Sequence, residues 1–397
     1  MLKNKVIVLG ISGGIAAYKA ADLASKLAQA GATVKVVMTW EATQLVQPLT
    51  FQALTGNPVV TDMFEPAPLS AITHVSLADE ADIVVIVPAT ANVIAKMAAG
   101  IADDILTCTV LATKAPVVIS PAMHHNMYVN PVTQENIGKL KARGFTVIPA
   151  VHGRLASGSI GYGRLPEIPE IMGVIQQTLG KNSDLAGKRV VVTAGGTQEA
   201  IDPVRYITNN SSGKMGYALA EAARDRGAAV TLITTPTGLN PVAGVEMVNV
   251  RSAREMKDAV VKAVAKTDAL IMAAAVADYA PKTVAAQKIK KGTGGMTLEL
   301  VKTPDILSAV KGNFAKVGFA AETQDLIANA KKKLVNKSLD IIVANDVTVK
   351  DSGFGAETNK VTILKKDGKM EDLPLMSKRE VAEKILDNVA KLLKARK

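Results

Sequence analysis

Residues 6–38 read VIVLGISGGIAAYKAADLASKLAQAGATVKVVM, and this stretch decides the fold class. Val6–Leu9 is a short apolar run bounded by Lys5 and Gly10, which reads as a buried strand. Ser12-Gly13-Gly14 is a tight turn. From Ile15 to Ala30 the apolar residues Ala17, Ala20, Ala21, Leu23, Ala24 and Leu27 recur at helical spacing, and Gly31 stops the helix. Thr33–Met38 is the next strand. Strand, glycine loop, helix, strand is the opening of a doubly wound parallel sheet. Further on, Asp82 introduces the run Ile83–Val87, which ends at Pro88-Ala89-Thr90, and Val117–Ile119 ends at Ser120-Pro121. Open α/β sheets hold their ligands in loops of this kind, beyond the carboxyl ends of the strands.

The same unit starts again near residue 183. Asn182–Lys188 is short and polar and reads as a linker. Arg189–Thr193 is a strand, Ala194-Gly195-Gly196-Thr197 a second glycine loop, Met215–Arg226 an alanine-rich helix stopped by Gly227, and Ala229–Thr234 a strand. LAQAGATVKVVMT (27–39) and ARDRGAAVTLITT (223–235) resemble each other, as expected of two doubly wound domains. Ala269–Met272, Val317–Ala321 and Ile341–Ala344 add strands to the second sheet, and Lys378–Lys397 reads as a closing helix. The expected organisation is α/β, with two Rossmann-like domains at 1–182 and 188–397 joined by a linker at 183–187. A length of 397 residues suits two domains.

Composition narrows the function. Hydrophobic residues make up 48% of the chain, enough for two cores. Aromatics are only 3%, which opposes a nucleic-acid reader built on base stacking. Cys108 is the one cysteine, so no disulfide can form within the chain and no cysteine-rich metal or iron–sulfur site exists. The net charge of +11 is uneven: residues 1–182 hold 13 Lys and Arg against 12 Asp and Glu, and the remainder 34 against 24. A basic second half suits either a solvated lysine-rich surface or a site for phosphates. The opening apolar run is too short for a signal-peptide core or a membrane span, so a cytoplasmic protein is expected, with no membrane and no nucleic-acid partner. Neither glycine loop is a nucleotide signature by itself. GxGxxG is out of register in the first, and no GxxxxGK[ST] is present.

Longer motifs carry a resemblance. In the first half they are GISGGIAAYKA (10–20), ITHVSL (72–77), VPATANVIAKMAAGIADDILT (87–107) and PAM (121–123). In the second half they are VVVTAGGTQEAIDPVRYITNNSSGKMG (190–216), AAAVADY (273–279), KIKK (288–291), TPDIL (303–307), GFAAET (318–323) and KKKLVNKSLDIIVANDV (331–347). End to end, the chain resembles the bifunctional coenzyme A biosynthesis flavoproteins, in which phosphopantothenoylcysteine decarboxylase is fused to phosphopantothenate–cysteine ligase. That resemblance implies a flavodoxin-like flavoprotein domain followed by a nucleotide-dependent ligase domain.

For the first half the resemblance implies FMN and the decarboxylation of phosphopantothenoylcysteine to 4'-phosphopantetheine. Ser12, Gly13, Gly14 and Ile15 would cradle its phosphate, with Pro88, Ala89 and Met123 at neighbouring strand ends and Thr39, Thr90 and Thr107 as hydroxyl contacts. His74 matches the family's essential histidine, a residue type that exchanges protons near neutral pH. Two positions depart from the family. His124 stands where the motif after Pro-Ala-Met has an asparagine that clamps the substrate carboxylate. Ser157, in the flap LASGSIGYGR (155–164), stands where the bacterial family has its proton-donating cysteine. A thiol has a pKa of about 8.5, and an alcohol is a far weaker acid. His124 and His125 are adjacent, so their side chains diverge and no metal site is read there.

For the second half it implies activation of 4'-phosphopantothenate by CTP as an acyl-cytidylate, then attack by cysteine. Asn209 would act on the acyl-cytidylate and Lys288 on phosphate charge. Gly195, Gly196, Ser212, Gly213, Met272, Ala273, Ala274, Asp278, Pro304, Asp305, Ile306, Leu307, Phe319, Lys333 and Lys337 would contact the nucleotide, and Asp278 also Mg2+. The family's flavin domains form trimers that assemble to dodecamers, and its ligase domains dimerise. Three rivals stay open: a dehydrogenase with two Rossmann domains, a basic nucleic-acid-binding protein, and a ligase whose flavin domain has lost activity.

Overall fold

A computed structural model describes residues 2–64, 73–291, 295–322, 325–346, 353 and 355–396. Ile72, Thr323, Val347 and Lys397, which end four of the stretches read above, lie outside the described residues. The chain divides into two compact units, Met1–Gly180 and Lys181–Lys397.

The first unit holds a six-stranded parallel sheet. Its spatial order is Val59–Val60, Thr33–Met38, Val6–Ile11, Ile83–Ala89, Val117–Pro121, Thr146–Val147. Numbered along the chain this is the Rossmann order 3-2-1-4-5-6. Without the two-residue edge strand Val59–Val60 it becomes the 2-1-3-4-5 order of flavodoxin-like sheets. The central strands are apolar at nearly every position because both faces are covered. Ile7, Leu9, Ile11, Ile83, Val85 and Val87 pack into one core with helices Ala17–Gln29 and Ile168–Gly180. Val8, Val84 and Ile86 pack into the other with helices Ala91–Ala99, Ile105–Ala112 and Pro131–Ala142. An antiparallel hairpin, Val151–Arg154 with Ile160–Arg164, projects from this unit as a separate two-stranded sheet. Its alternation is carried by glycines, so periodicity did not reveal it.

The second unit repeats the plan. Its eight-stranded sheet runs Glu246–Asn249, Ala229–Thr234, Arg189–Ala194, Ala269–Met272, Ala315–Glu322, Ile341–Asp346, Val361–Lys365, Met370–Asp372. The first six strands are parallel and the last two antiparallel. Val190, Val192 and Ala194 pack against helices Lys214–Asp225 and Lys378–Ala395, while Val191, Leu270 and Met272 pack with helix Ala253–Val264 on the other face. The antiparallel edge had no sequence expectation, because a five-residue run such as VTILK is ambiguous when read alone.

Residues 183–187, read as a linker, belong to the second unit. Leu185 is fully buried in its core, its N–H donates to Arg226 O (3.2 Å), and Asp184 pairs with Arg226. Among the described residues no helix is long and apolar enough to cross a membrane. Leu185→Ala is expected to destabilise the second unit by about 2–5 kcal/mol. Hydrogen exchange should show faster opening across 188–397 and unchanged protection in Val6–Ile11.

Candidate active sites

In the first unit the chain leaves Val6–Ile11 toward one sheet edge and returns to build the other from Ile83–Ala89. A crevice opens where those two strands end. Ser12 ties the two ends together: its Oγ donates to Pro88 O (2.7 Å) and accepts from the Thr90 N–H (2.9 Å). Gly13 is required by packing, since a Cβ there would lie 2.3 Å from Glu41 Cβ. The helix Ala17–Gln29 then starts at Ala16 with no side-chain cap; the Ala17 and Lys19 N–H groups donate to Gly14 O (2.8 Å) and Ala16 O (3.0 Å), and the positive end of the helix dipole faces the turn. Nearby, at the end of Val117–Pro121, the buried Ser120 Oγ has no hydrogen-bond partner. An uncapped helix start beside a glycine turn suits a phosphate, and an orphaned hydroxyl suits a polar ring edge. The residues present therefore fit a flavin mononucleotide.

The three threonines expected as hydroxyl contacts are used as helix caps. Thr39 Oγ1 accepts from the Ala42 N–H and Thr90 Oγ1 from the Val93 N–H, both at 3.4 Å. Thr107 is buried in a reciprocal capping box with Asp104. Thr39 and Thr107 are almost wholly buried, so neither offers its hydroxyl to the crevice without rearrangement.

Beside the crevice is a cavity of about 580 Å³. Ile15, Ala122, Met123 and His124 line one part, and Leu155, Ala156, Ser157 and Gly163 of the hairpin line another. His124 Nδ1 accepts from the Asn126 N–H (3.3 Å), which leaves Nε2–H as its free donor. The Ser157 and Ser159 hydroxyls lie 2.8 Å apart. His74 sits half-buried on helix Thr73–Glu80 and does not line this cavity. Lys19, Arg154 and Arg164 do line it, and sequence reasoning missed all three; two of them belong to the unrecognised hairpin. Cys108 lies elsewhere, with its Sγ 3.3 Å from Met63 Sδ and from Ala102 O. Burial and the charges of Asp104 and Asp103 push its thiol pKa up.

The second unit has a larger cleft, about 900 Å³, at the equivalent crossing between Arg189–Ala194 and Ala269–Met272. Here too a helix begins without a side-chain cap: Lys214–Asp225 starts at Gly213, whose φ of 80° favours glycine. Ser212, Gly213, Met272, Ala273, Ala274, Asp278, Pro304, Asp305, Ile306, Leu307, Phe319, Lys333 and Lys337 all line the cleft, as expected of a nucleotide site. Asn209 lines it as well and donates through Nδ2 to Ala275 O (3.2 Å). Asp305 caps helix Ile306–Ala309 through the Ser308 N–H and pairs with Lys337. Burial pulls Asp305 upward, but Lys337 and Ser308 outweigh it and hold the carboxyl below its usual range. Lys333 Nζ donates to Phe319 O (2.8 Å).

Three expected residues lie apart. Gly195 and Gly196 are not cleft lining: a Cβ on Gly195 would lie 2.1 Å from Thr235 Oγ1, and one on Gly196 2.7 Å from Asn209 O. They make room for the walls. Lys288 is exposed and outside the cleft. Its neighbour Ile289 is fastened by the buried Asp202, which accepts the Ile289 N–H (3.1 Å), and by Arg205, which donates to Ile289 O (2.8 Å). Arg205 and three backbone N–H groups hold the Asp202 carboxyl far below the ordinary range. Among the described residues no group of three His, Cys, Asp or Glu could hold a metal ion, so Asp278 stands in the cleft without a preformed cage.

Residues 1–180 match the flavoprotein family, and residues 185–393 match the DNA/pantothenate metabolism flavoprotein C-terminal domain family. The coenzyme A biosynthesis bifunctional protein CoaBC of Bacillus subtilis (strain 168) is 51% identical over 400 residues, covering 99% of this chain and 98% of its own. This chain belongs to the CoaBC family. The CoaBC protein of Vibrio parahaemolyticus serotype O3:K6 (strain RIMD 2210633) is 47% identical over 398 residues and 99% of each chain. A crystal structure of the C-terminal domain of a CoaBC protein is 43% identical, covering 54% of this chain and 100% of that one, with a TM-score of 0.47. As a CoaBC protein, the chain is a bifunctional coenzyme A biosynthesis enzyme, a decarboxylase and a ligase, with a flavoprotein domain at its start.

Lys378 is a lining residue that sequence reasoning missed. It begins the closing helix, is 5% exposed, and donates to Gly353 O (2.9 Å) and Ala356 O. Burial, then repulsion by Lys214, push its pKa down to about 8. The cleft therefore loses one positive charge as pH rises through about 8. Affinity for tripolyphosphate, measured by calorimetry, is expected to fall several-fold between about pH 7 and about pH 9, and Lys378→Arg is expected to flatten that fall.

Proposed function

We propose that residues 188–397 join 4'-phosphopantothenate to cysteine at the expense of CTP, and that residues 1–182 decarboxylate the product with FMN. The observation that carries this reading is the repeated one: each unit puts an uncapped helix start and a glycine turn beside a cavity at its sheet crossing. Both reactions need a phosphate-bearing molecule held there.

In the ligase unit the substrate carboxylate is a poor acyl donor, and its attack on the α-phosphate of CTP converts it to an acyl-cytidylate with loss of pyrophosphate. The N–H groups at the start of Lys214–Asp225, with Lys214 and Lys333, offset the phosphate charge. Asp278 and the phosphates hold Mg2+, which suits an ion that keeps much of its water shell. Asn209 holds the acyl-cytidylate carbonyl as cysteine's amine attacks. Lys288 lies beside Ile289, which Asp202 and Arg205 fasten outside the cleft, so reaching the phosphates requires that anchor to be released.

In the decarboxylase unit the uncapped start of Ala17–Gln29 holds the FMN phosphate, and Ser12, Gly14 and Thr90 shape the turn around it. Bound FMN supplies two-electron redox chemistry at the cysteine end of the substrate. His124 replaces the family asparagine as a donor: with Nδ1 accepting from Asn126, its Nε2–H is free to grip the substrate carboxylate. Ser157 sits where the family's acid stands, but its hydroxyl is a weak acid. The final proton comes through it from solvent or from a neighbouring histidine.

His74 is outside the cavity that holds His124 and Ser157, and Ile15, Trp40, Leu49 and Leu111 are exposed apolar residues on this unit. Both facts suit a shared site in which another copy supplies His74; the trimers, dodecamer, dimeric ligase units and cytoplasmic location are carried over from the family resemblance. Asn209→Ala tests the ligase assignment. Amide formation is expected to fall about 10²–10³-fold, while one equivalent of pyrophosphate still appears on mixing CTP, Mg2+ and 4'-phosphopantothenate. Loss of that burst would place Asn209 in the activation step.

A further inference from the structure

We propose that His125 is a positioning residue that holds the Ser157 hairpin against the Pro121–Tyr128 segment of the decarboxylase unit. This rests on the reading of that cavity as the decarboxylase site.

His124 and His125 are adjacent in sequence and have different partners. His124 Nδ1 caps its own short helix, His125–Tyr128, by accepting from Asn126. His125 Nδ1 instead accepts the backbone N–H of Tyr162, 37 residues away on the returning strand of the hairpin, at 3.1 Å. The contact requires an unprotonated Nδ1 and leaves the ring its Nε2–H. Steric fit sharpens it. A Cβ added to Gly161 would meet three atoms of the His125 side chain, at 2.7, 2.9 and 2.9 Å, and these are its nearest neighbours. The glycine is there because the histidine ring lies flush on the strand.

The stitch has a second part. The Met123 N–H donates to Gly163 O (3.0 Å), and a Cβ on Gly163 would lie 2.1 Å from Met123 O. That backbone contact fixes the base of the hairpin. His125 acts one residue closer to the tip, where Leu155 N–H donates to Ser159 O and Ser157 lies in the turn. Tyr162 passes the constraint across the hairpin, because its ring packs edge-on against His152 of the outgoing strand with centroids 5.1 Å apart. Fixing Tyr162 thus fixes where Ser157 stands relative to His124. The side chain touches neither cofactor nor substrate in this account. It sets geometry.

The test uses full-length protein carrying its flavin and four variants: His125→Ala, His125→Asn, Gly161→Ala and the double Gly161→Ala/His125→Ala. Hydrogen exchange of the Tyr162 amide reads the contact without reference to activity. His125→Ala is expected to speed that exchange about tenfold while Val6–Ile11 stays protected. His125→Asn, which keeps a short acceptor, is expected to restore most of the protection. Decarboxylation should lose kcat with little change in KM in His125→Ala. Gly161→Ala should be harmful alone and clearly less harmful in the His125→Ala background, where Cγ and Nδ1 are gone and only the Cβ contact remains. Equal cost of Gly161→Ala in both backgrounds, or unchanged Tyr162 exchange in His125→Ala, would overturn the proposal. If the wild-type protein releases no CO2, the decarboxylase reading fails, and the exchange results still decide whether His125 holds the hairpin.

Discussion

A parallel strand cannot be followed directly by its neighbour; the chain must cross over through a helix and return. In both units this constraint brings a strand end, a glycine turn and a helix start to one place. At Ser12-Gly13-Gly14 the helix start has no side-chain cap, and at Gly213 the same holds. Several other helices satisfy their own ends: Thr39, Thr90, Asp104, Asn130, Ser252 and Ser377 each accept an N–H of the first turn. Helices Pro48–Thr55 and Leu326–Asn336 also start without a side-chain cap, but it is the starts at Ala16 and Gly213 that line the two cavities. An electrostatic preference for phosphate is thus built from backbone alone, and the side chains around it decide what is done with the bound molecule.

Those side chains differ between the units in a way that suits two chemistries. The ligase cleft gathers Lys214, Lys333, Lys337 and Lys378 around small-residue walls, and Lys333 and Lys378 donate to the carbonyl oxygens of Phe319 and Gly353. The decarboxylase cavity is smaller, and its polar groups converge from three segments, the start of Ala17–Gln29, the Met123–His124 loop and the hairpin. Its chemistry depends on how well those segments are held together. That makes the replacement of a family cysteine by Ser157 a change in acidity on an intact support, since the glycines of the hairpin keep their packing roles at Gly161 and Gly163.

Much of this was legible in the sequence. Apolar runs bounded by glycine and proline located the core strands of both sheets, and Thr33–Met38, Ala229–Thr234 and Ala269–Met272 fall where the runs do. The motifs of the second half mark residues that meet around one cleft. What sequence could not show was the use made of single atoms. Thr107 sits in a matching motif, yet its hydroxyl closes a capping box. Gly195 and Gly196 look like phosphate-loop glycines and are spacers. Lys378 looks like a surface lysine at a helix start and is buried in the cleft. The hairpin was hidden because glycines occupy its buried positions, leaving no apolar alternation to read. Gly195 and Lys378 take their roles from neighbours that lie far off along the chain.

The central claim is that one chain carries two active sites serving consecutive steps. It is tested most directly by giving the purified protein 4'-phosphopantothenate, cysteine, CTP and Mg2+, and following pyrophosphate and CO2 separately. The account predicts pyrophosphate first and CO2 after a lag, in equal final amounts. Pyrophosphate without CO2 would contradict it and leave a ligase carrying an inactive flavin unit.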